Sequence, residues 1–539
     1  MSKRNILTRS KKIQAERLAL NNCWDDAQTL YASVCKTDPT DAEAWVKLSV
    51  VQFRLGRNEE AESCARRALL IEPNHSFARQ TLATILQHQG KLDEASSILQ
   101  CTLAQQPNSS EALVNLARLR EEQGNLKEAF DLFHQALDLQ PESLYVLAKR
   151  AELLEKEGRL TESEAIIARG LAQMPSSPIL NLAAARLDRR MSRHAEAAAR
   201  LEAVLGQPMP QDLGAEIHLL LGQLQDRLGN IDKVLPHLLE GKRLMALSTD
   251  PDSNGRIRFL SRCDQARAWL TDRVVSSRHK VVSSRDETPV FLIGFPRSGT
   301  TLLEQVLDSH PRLQTLDEKP MTEVMERAFL NMTRSGSDVL ADLSDEQIAA
   351  LRQTYFYEAA LHVDRQPGTI LVDKLPLNII RLPLLWRVFP EARFILAIRH
   401  PCDVILSCLM QNFGTNDAMV GFTSLENIAE IYIHVMGAWL EYADRLPLHW
   451  QRIRYEDLIT NFESETRNLL EFLGVNWNDS VLEHTQHAKQ RGIINTPSYH
   501  QVIQPIYQHA KYRWRRYEME FVPVIKVLQP FIEQFNYSE

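Results

Sequence analysis

Cysteine is scarce, long apolar runs are missing and neither sign of charge dominates, and each shortage closes off a class of protein. Seven cysteines (Cys23, Cys35, Cys64, Cys101, Cys263, Cys402 and Cys408) are scattered through 539 residues without a CxxC pair. An odd, unpatterned set argues against a disulfide framework or a zinc site and fits free thiols in a reducing compartment, so the expected location is cytoplasmic. No apolar stretch approaches the roughly 18 residues of a membrane span, and the run from Val290 to Phe295 is far too short. Lys3, Arg4, Arg9, Lys11 and Lys12 crowd the N-terminus, but the apolar segment of a signal peptide does not follow, so export by that route is not expected. With 62 basic against 69 acidic residues, net −7, there is no basic excess to track a nucleic-acid backbone; a small anion needs only a local basic site.

What is present is ordinary globular material, 44% hydrophobic and 24% charged. At about 150 residues per domain the length suggests three to four domain equivalents.

The first half repeats. Pro39, Pro73, Pro107, Pro141 and Pro175 are each 34 residues apart, and Gly56, Gly90, Gly124 and Gly158 keep the same step. Ala27, Ala61, Ala95 and Ala129 follow it too, and Ala44, Ala78 and Ala112 mark another small position. The physics is that of a helix pair: glycine opens the turn, alanine allows close packing and proline ends the second helix. One pair cannot bury its apolar face alone, so stacked pairs form a solenoid. The pattern resembles the tetratricopeptide repeat (TPR) family over residues 10–243. Asn22 and Ser192 stand where glycine recurs, and Pro208 and Pro210 blur the last register, as suits capping repeats. The groove of such an array binds a peptide or protein, or else the array packs on itself as a scaffold.

Residues 244–285 read as a connector, turn-rich from Asp250 to Gly255, helical from Ala266 to Val274 and polar from Ser276 to Thr288. Beyond it the period changes. Val290–Ile293, Ile370–Val372 and Phe394–Ile398 read as buried strands, each followed by a helix, which predicts an α/β domain with a parallel sheet over 286–539. The segment from Pro289 to Glu304, PVFLIGFPRSGTTLLE, runs from a strand through a Gly/Ser/Thr turn into an amphipathic helix. Amides of Ser298, Gly299, Thr300 and Thr301 at a helix start can gather an anion, and the threonine hydroxyls add donors. A P-loop of the ATP-hydrolysing kind ends Gly-Lys-Ser/Thr, whereas Thr300 and Thr301 follow Gly299 here and the cation, Arg297, comes earlier.

Phe295-Pro-Arg-Ser-Gly-Thr-Thr301 followed by Leu307-Asp-Ser-His-Pro311 resembles the phosphosulfate-binding loop of the sulfotransferase family, with tyrosylprotein sulfotransferases and bacterial repeat-linked relatives as the branches most similar. The resemblance implies a P-loop-like parallel sheet and transfer of a sulfuryl group from 3′-phosphoadenosine-5′-phosphosulfate (PAPS) to an acceptor hydroxyl, leaving the bisphosphate PAP, without a catalytic metal. It places Arg399 and Ser407 of Phe394–Ser407 at the 3′-phosphate, Tyr455 at the nucleotide, Ser498 near the sulfate and Arg513 near the nucleotide. Gln411 stands one turn beyond Ser407, where the family often has a further arginine. Glu318, 21 residues after Arg297, falls on the family's catalytic glutamate, with Asp317 as runner-up; Lys374 matches its sulfate-contacting lysine and Arg297 is the second cation. His310 and His400 each precede a proline in a turn and are left out as acid–base groups.

Three functions stay open at this point. The first is a sulfotransferase acting on a peptide or protein hydroxyl, tyrosine among them, presented by the repeats. Lys319 and Pro320 occupy the positions where the family's substrate-facing arginine would follow the base, so a carbohydrate, lipid or small-molecule acceptor stands beside tyrosine. The others are a nucleotide-dependent kinase, disfavoured by Thr300 in the lysine position, and a TPR scaffold whose second half only binds nucleotide. A homo-oligomer through the α/β domain is a further partner reading.

Overall fold

The computed structural model describes residues 3–21, 23–123, 125–249, 254–276, 288–332, 339–413, 417–490 and 510–537. The chain packs as two compact units, Met1–Val204 and Leu205–Glu539.

The described part of the first unit is helical throughout, from Lys3–Leu20 to His194–Val204. Its helices alternate in length, as in Ala42–Arg54, Asn58–Ile71, Ser76–His88 and Leu92–Gln105. The start of each first helix recurs with the repeat. Side chains of Asp41, His75 and Ser109 accept from the amides of Ala44, Ala78 and Ala112, each such cap contributing about 1 kcal/mol. Ala27, Ala61, Ala95 and Ala129 have no exposed surface, so the helices of a pair meet there at backbone distance. Gly56, Gly90 and Gly158 hold φ between 74° and 79°, the left-handed turn between helices. Ser192 adopts the same conformation, φ 62°, at the place in the register where glycine is missing. Gly124 and Asn22 lie outside the described residues.

The second unit opens with a helical hairpin, Gln211–Leu228 and Ile231–Thr249. The repeat register counts this pair with the solenoid, but its Leu219, Val234 and Leu238 share one hydrophobic core with Phe291 and Phe394 of the sheet. The connector helix expected over Ala266–Val274 is two helices, Gly255–Ala268 and Asp272–Ser276. Bonds that reach back three residues, from the Trp269 amide to the Ala266 carbonyl and from the Leu270 amide to the Arg267 carbonyl, end the first, and the Thr271 hydroxyl, accepting from the Val274 amide at 3.4 Å, starts the second.

Five parallel strands form the sheet: β1 (Val290–Gly294), β2 (Leu313–Asp317), β3 (Ile370–Lys374), β4 (Arg393–Ile398) and β5 (His449–Arg454), in the order β2-β3-β1-β4-β5. The three central strands are the ones legible as apolar runs. The two edge strands are not, because β5 (HWQRIR) is half exposed and β2 alternates. Alternate residues feed two cores. Phe291, Ile293, Phe394, Leu396 and Ile398 face one, and Leu292, Val372, Ile395 and Ala397 the other. After β1 the chain turns toward β2, and after β4 it turns the opposite way toward β5. The crevice at the carboxyl ends of β1 and β4 is therefore the topological switch point, where ligands of open α/β sheets bind. Among the described residues no helix is long and apolar enough to cross a membrane.

Candidate active site

The loop leaving β1 is tightly built. Gly294 sits opposite Ala397, and a side chain there would come within 2.5 Å of the Ala397 carbonyl. Arg297 is held at φ 71° and Gly299 at φ 97°, just before the helix Thr300–Asp308. A non-glycine residue in that region costs energy and persists only where its surroundings over-determine it. A Cβ on Gly299 would lie 2.8 Å from Tyr455 Cδ2, so Tyr455 packs directly on the loop. The Ser298 amide donates to the Phe295 carbonyl at 3.1 Å and is committed to that turn, which removes it from the expected cradle of amides. Its hydroxyl is a different matter: buried, with no hydrogen-bond partner among the described residues. The first-turn amides of Thr300 and Thr301 have no acceptor within their helix by construction, and both residues are almost fully buried.

From β4 the chain supplies the complement. Arg297 Nε donates to Ser407 Oγ at 3.0 Å, joining residues 110 positions apart across the switch point. Arg399, at the end of β4, lies with its guanidinium 4.9 Å from the Tyr455 ring centre and donates to the Ala510 carbonyl at 2.5 Å. Asp403, in the first turn of the helix Pro401–Leu409, accepts from the amides of Tyr512 (2.7 Å) and Trp514 (2.9 Å). Burial pushes its carboxyl up despite Arg399 nearby. Ser298, Gly299, Arg399 and Tyr455 thus surround one cradle, with Arg297 and Ser407 linked across it.

At the ends of β2 and β3 lies a charged cluster. Lys374 has no exposed surface; its Nζ donates to Glu318 Oε1 at 2.9 Å and pairs more closely with Asp317. Burial alone would pull its ammonium down, but Asp317, Glu318 and Glu304 outweigh it and hold the pKa above the ordinary lysine value. Glu318 is held at φ 51°, its amide bonded to the Lys374 carbonyl at 2.8 Å, and its side chain is 46% exposed. Arg297, Thr300, Thr301 and Glu318 line one cavity of about 430 Å³, whose walls mix apolar residues such as Phe259, Phe413 and Ile380 with the charged Arg262, Glu323, Arg381 and Asp417.

Two further residues were expected at the site. Arg513 pairs with Asp226 of the helix Gln211–Leu228, which also accepts from Arg516 at 2.8 Å and from the Tyr517 hydroxyl, so the guanidinium is engaged there. Ser498 lies outside the described residues. His310 bonds the Asn476 carbonyl and the Arg312 amide, and His400 stacks on Trp514 with burial holding its pKa down at about 4. Sequence reasoning passed over Gln223, Asp226 and Lys242, which no local motif marks. Among the described residues no group of three or more His, Cys, Asp or Glu is placed to hold a metal.

Fold and site define an α/β protein with a candidate anion cradle at the switch point of a parallel sheet. Comparison with known proteins narrows the class. Residues 289–479 match the model of the Sulfotransferase family, residues 33–176 that of the Cytochrome c-type biogenesis protein H TPR domain, and residues 182–233 that of the Tetratricopeptide repeat. An uncharacterized protein of Aquifex aeolicus is 28% identical over 61% of this chain and 43% of its own length. Protein-tyrosine sulfotransferase 1 of Danio rerio is 28% identical over 48% of this chain and 74% of its own, and the Homo sapiens protein of that name 28% over 47% and 70%. The chain thus spans less than half of the Aquifex relative. Among solved structures, a tetratricopeptide repeat protein from Parabacteroides merdae aligns with TM-score 0.38 and 20% identity over 44% of this chain and 93% of that one. The chain carries a C-terminal sulfotransferase-family domain behind N-terminal tetratricopeptide repeats.

Proposed function

We propose that the protein is a PAPS-dependent sulfotransferase acting on a hydroxyl, with a peptide or protein tyrosine as the leading acceptor. What supports the reading is that three pairs, Arg297 with Ser407, Arg399 with Tyr455, and Lys374 with Glu318, form on segments that leave the carboxyl ends of the sheet's strands. The residues fit a dianionic nucleotide donor. A buried, unpartnered Ser298 hydroxyl and the open first-turn amides await an acceptor group, and the Gly299 loop leaves Tyr455 at contact distance. Arg399 and Ser407 would hold the 3′-phosphate, the Thr300 and Thr301 amides the 5′-phosphate, and Lys374 and Arg297 the sulfuryl oxygens.

Bound there, PAPS supplies an activated sulfuryl group, whose transfer forms a sulfur–oxygen bond to the acceptor, breaks the one to the 5′-phosphate and leaves PAP. Glu318 accepts the acceptor's proton, within reach of solvent through its exposed side chain. Lys374 orients that carboxylate and keeps a positive charge beside it. The cavity walls mix apolar side chains with Arg262, Glu323, Arg381 and Asp417 and have room for an aromatic ring bearing the hydroxyl; tyrosine leads because relatives of the chain are protein-tyrosine sulfotransferases. The repeats supply a protein-binding surface, and seven free cysteines fit a cytoplasmic, reducing setting.

Calorimetric titration with PAP, with ATP as control, tests the donor. Tight PAP binding that collapses in Arg399→Ala upholds the reading, and indifference to PAP sinks it. Sulfation of tyrosine peptides against a glycan panel tests the acceptor; transfer to glycans and to no peptide would overturn the phenolic assignment.

A further inference from the structure

Beyond the apolar core it shares with the sheet, the hairpin Gln211–Leu228 and Ile231–Thr249 sends the polar side chains of Gln223, Asp226 and Lys242 to the frame of the cradle. Gln223 Nε2 donates to the Met410 carbonyl at 2.6 Å and Lys242 Nζ to the Gln411 carbonyl at 2.7 Å. Those carbonyls lie just past the C-terminal end of the helix Pro401–Leu409, which carries Ser407, and donors and positive charge are favoured at that end. Asp226 takes the second arm. Buried at 3% exposure, it binds Arg513, Arg516 and Tyr517. The stretch those residues anchor gives Asp403 its two amides and Arg399 its carbonyl partner.

Lys242 is the telling residue. It has no exposed surface and no ion-pair partner among the described residues; beyond one carbonyl it meets the face of Phe413, 5.6 Å away. Burial pulls its pKa down to about 7. An ammonium held this way weakens the fold, and methionine would fill its space at lower cost. Its presence is explained by what it holds.

We infer that the hairpin is a working part of the donor site, with Gln223, Asp226 and Lys242 as positioning residues that fix the Ser407 helix and the Arg399 cap in one geometry. This rests on reading the cradle as a donor site. None of the three touches the donor; they set the register of the groups that do.

The test uses the full chain with Lys242→Met, Asp226→Asn and Asp226→Glu. PAP affinity is measured by calorimetry, and amide hydrogen exchange at 401–411 and 510–517 is followed without ligand. Lys242→Met is expected to keep or raise Tm while weakening PAP by about tenfold, or about 1.4 kcal/mol. Asp226→Asn is expected to weaken PAP similarly and to speed exchange at Tyr512 and Trp514, with partial rescue by Asp226→Glu. In turnover, KM for PAPS should rise more than kcat falls. PAP affinity and exchange both within twofold of wild type in Lys242→Met and Asp226→Asn would overturn the inference. Should wild type fail to bind PAP, the donor reading falls alone and exchange decides: faster exchange upholds the clamp, unchanged exchange overturns it.

Discussion

Replacing Lys374 by methionine removes the one fully buried cation between Asp317 and Glu318 while keeping the volume of the side chain. Breaking a buried ion pair costs about 3–5 kcal/mol when the remaining charge stays buried. Here the survivors differ. Asp317 is 17% exposed and Glu318 46%, so water screens part of the loss, and a cost of about 2–3 kcal/mol is expected. Most of it should come back when the carboxylates are neutralised as well, in Lys374→Met with Asp317→Asn and Glu318→Gln. Equilibrium urea denaturation, read through intrinsic fluorescence, measures both differences. A parallel assay follows sulfuryl transfer. The loss of one cation from a preorganised site should lower kcat by about a hundredfold or more, and the triple variant should not recover it. A single variant as stable as wild type, or a triple variant no more stable than the single one, would refute the electrostatic account of this cluster.

Gly299→Ala should weaken PAP binding at least tenfold by titration, because it forces a Cβ to 2.8 Å from Tyr455 at φ 97°, a strain of roughly 1–3 kcal/mol. Asp373 and His400 make opposed contributions to stability against pH. Burial raises the Asp373 carboxyl to about 7, so between pH 4 and 7 the folded state holds a proton the unfolded chain has lost, and stability falls as pH rises. His400, lowered to about 4, works the other way: between pH 4 and 6.5 the unfolded chain holds the extra proton, and stability rises with pH. The two nearly cancel in wild type. Asp373→Asn should therefore gain on wild type by about 1.4 kcal/mol per pH unit from pH 4 to 7, and a flat difference in denaturation midpoints would count against it. Ser192→Gly should raise the stability of the repeat unit by about 1 kcal/mol, since it relieves a left-handed serine; an unchanged or lowered midpoint would show the serine is not strained.

The repeat and the cradle were legible for different reasons. A 34-residue period is local physics written over and over, so Gly56, Ala61 and Pro73 announce a helix pair without any knowledge of the fold. The loop from Phe295 to Thr301 is equally local: the strand, the glycine and the hydroxyls lie within one turn. Strands β2 and β5 were hidden because an edge strand buries only one face and its sequence need not be apolar.

Local order along the chain determined the helices, the central strands and the Phe295–Thr301 loop, because each depends on side chains within a few positions of one another; Arg399, Ser407 and Tyr455 entered through the family resemblance. Only the tertiary structure decided which distant groups share charge. Arg297 meets Ser407 and Lys374 stands between Asp317 and Glu318 because the sheet order brings those segments together, and the packing of the hairpin on the second unit pairs Asp226 with Arg513. Long-range electrostatics and burial carry no period and no motif, so the hairpin Gln211–Thr249 reads as repeat in sequence and packs into the second unit in space.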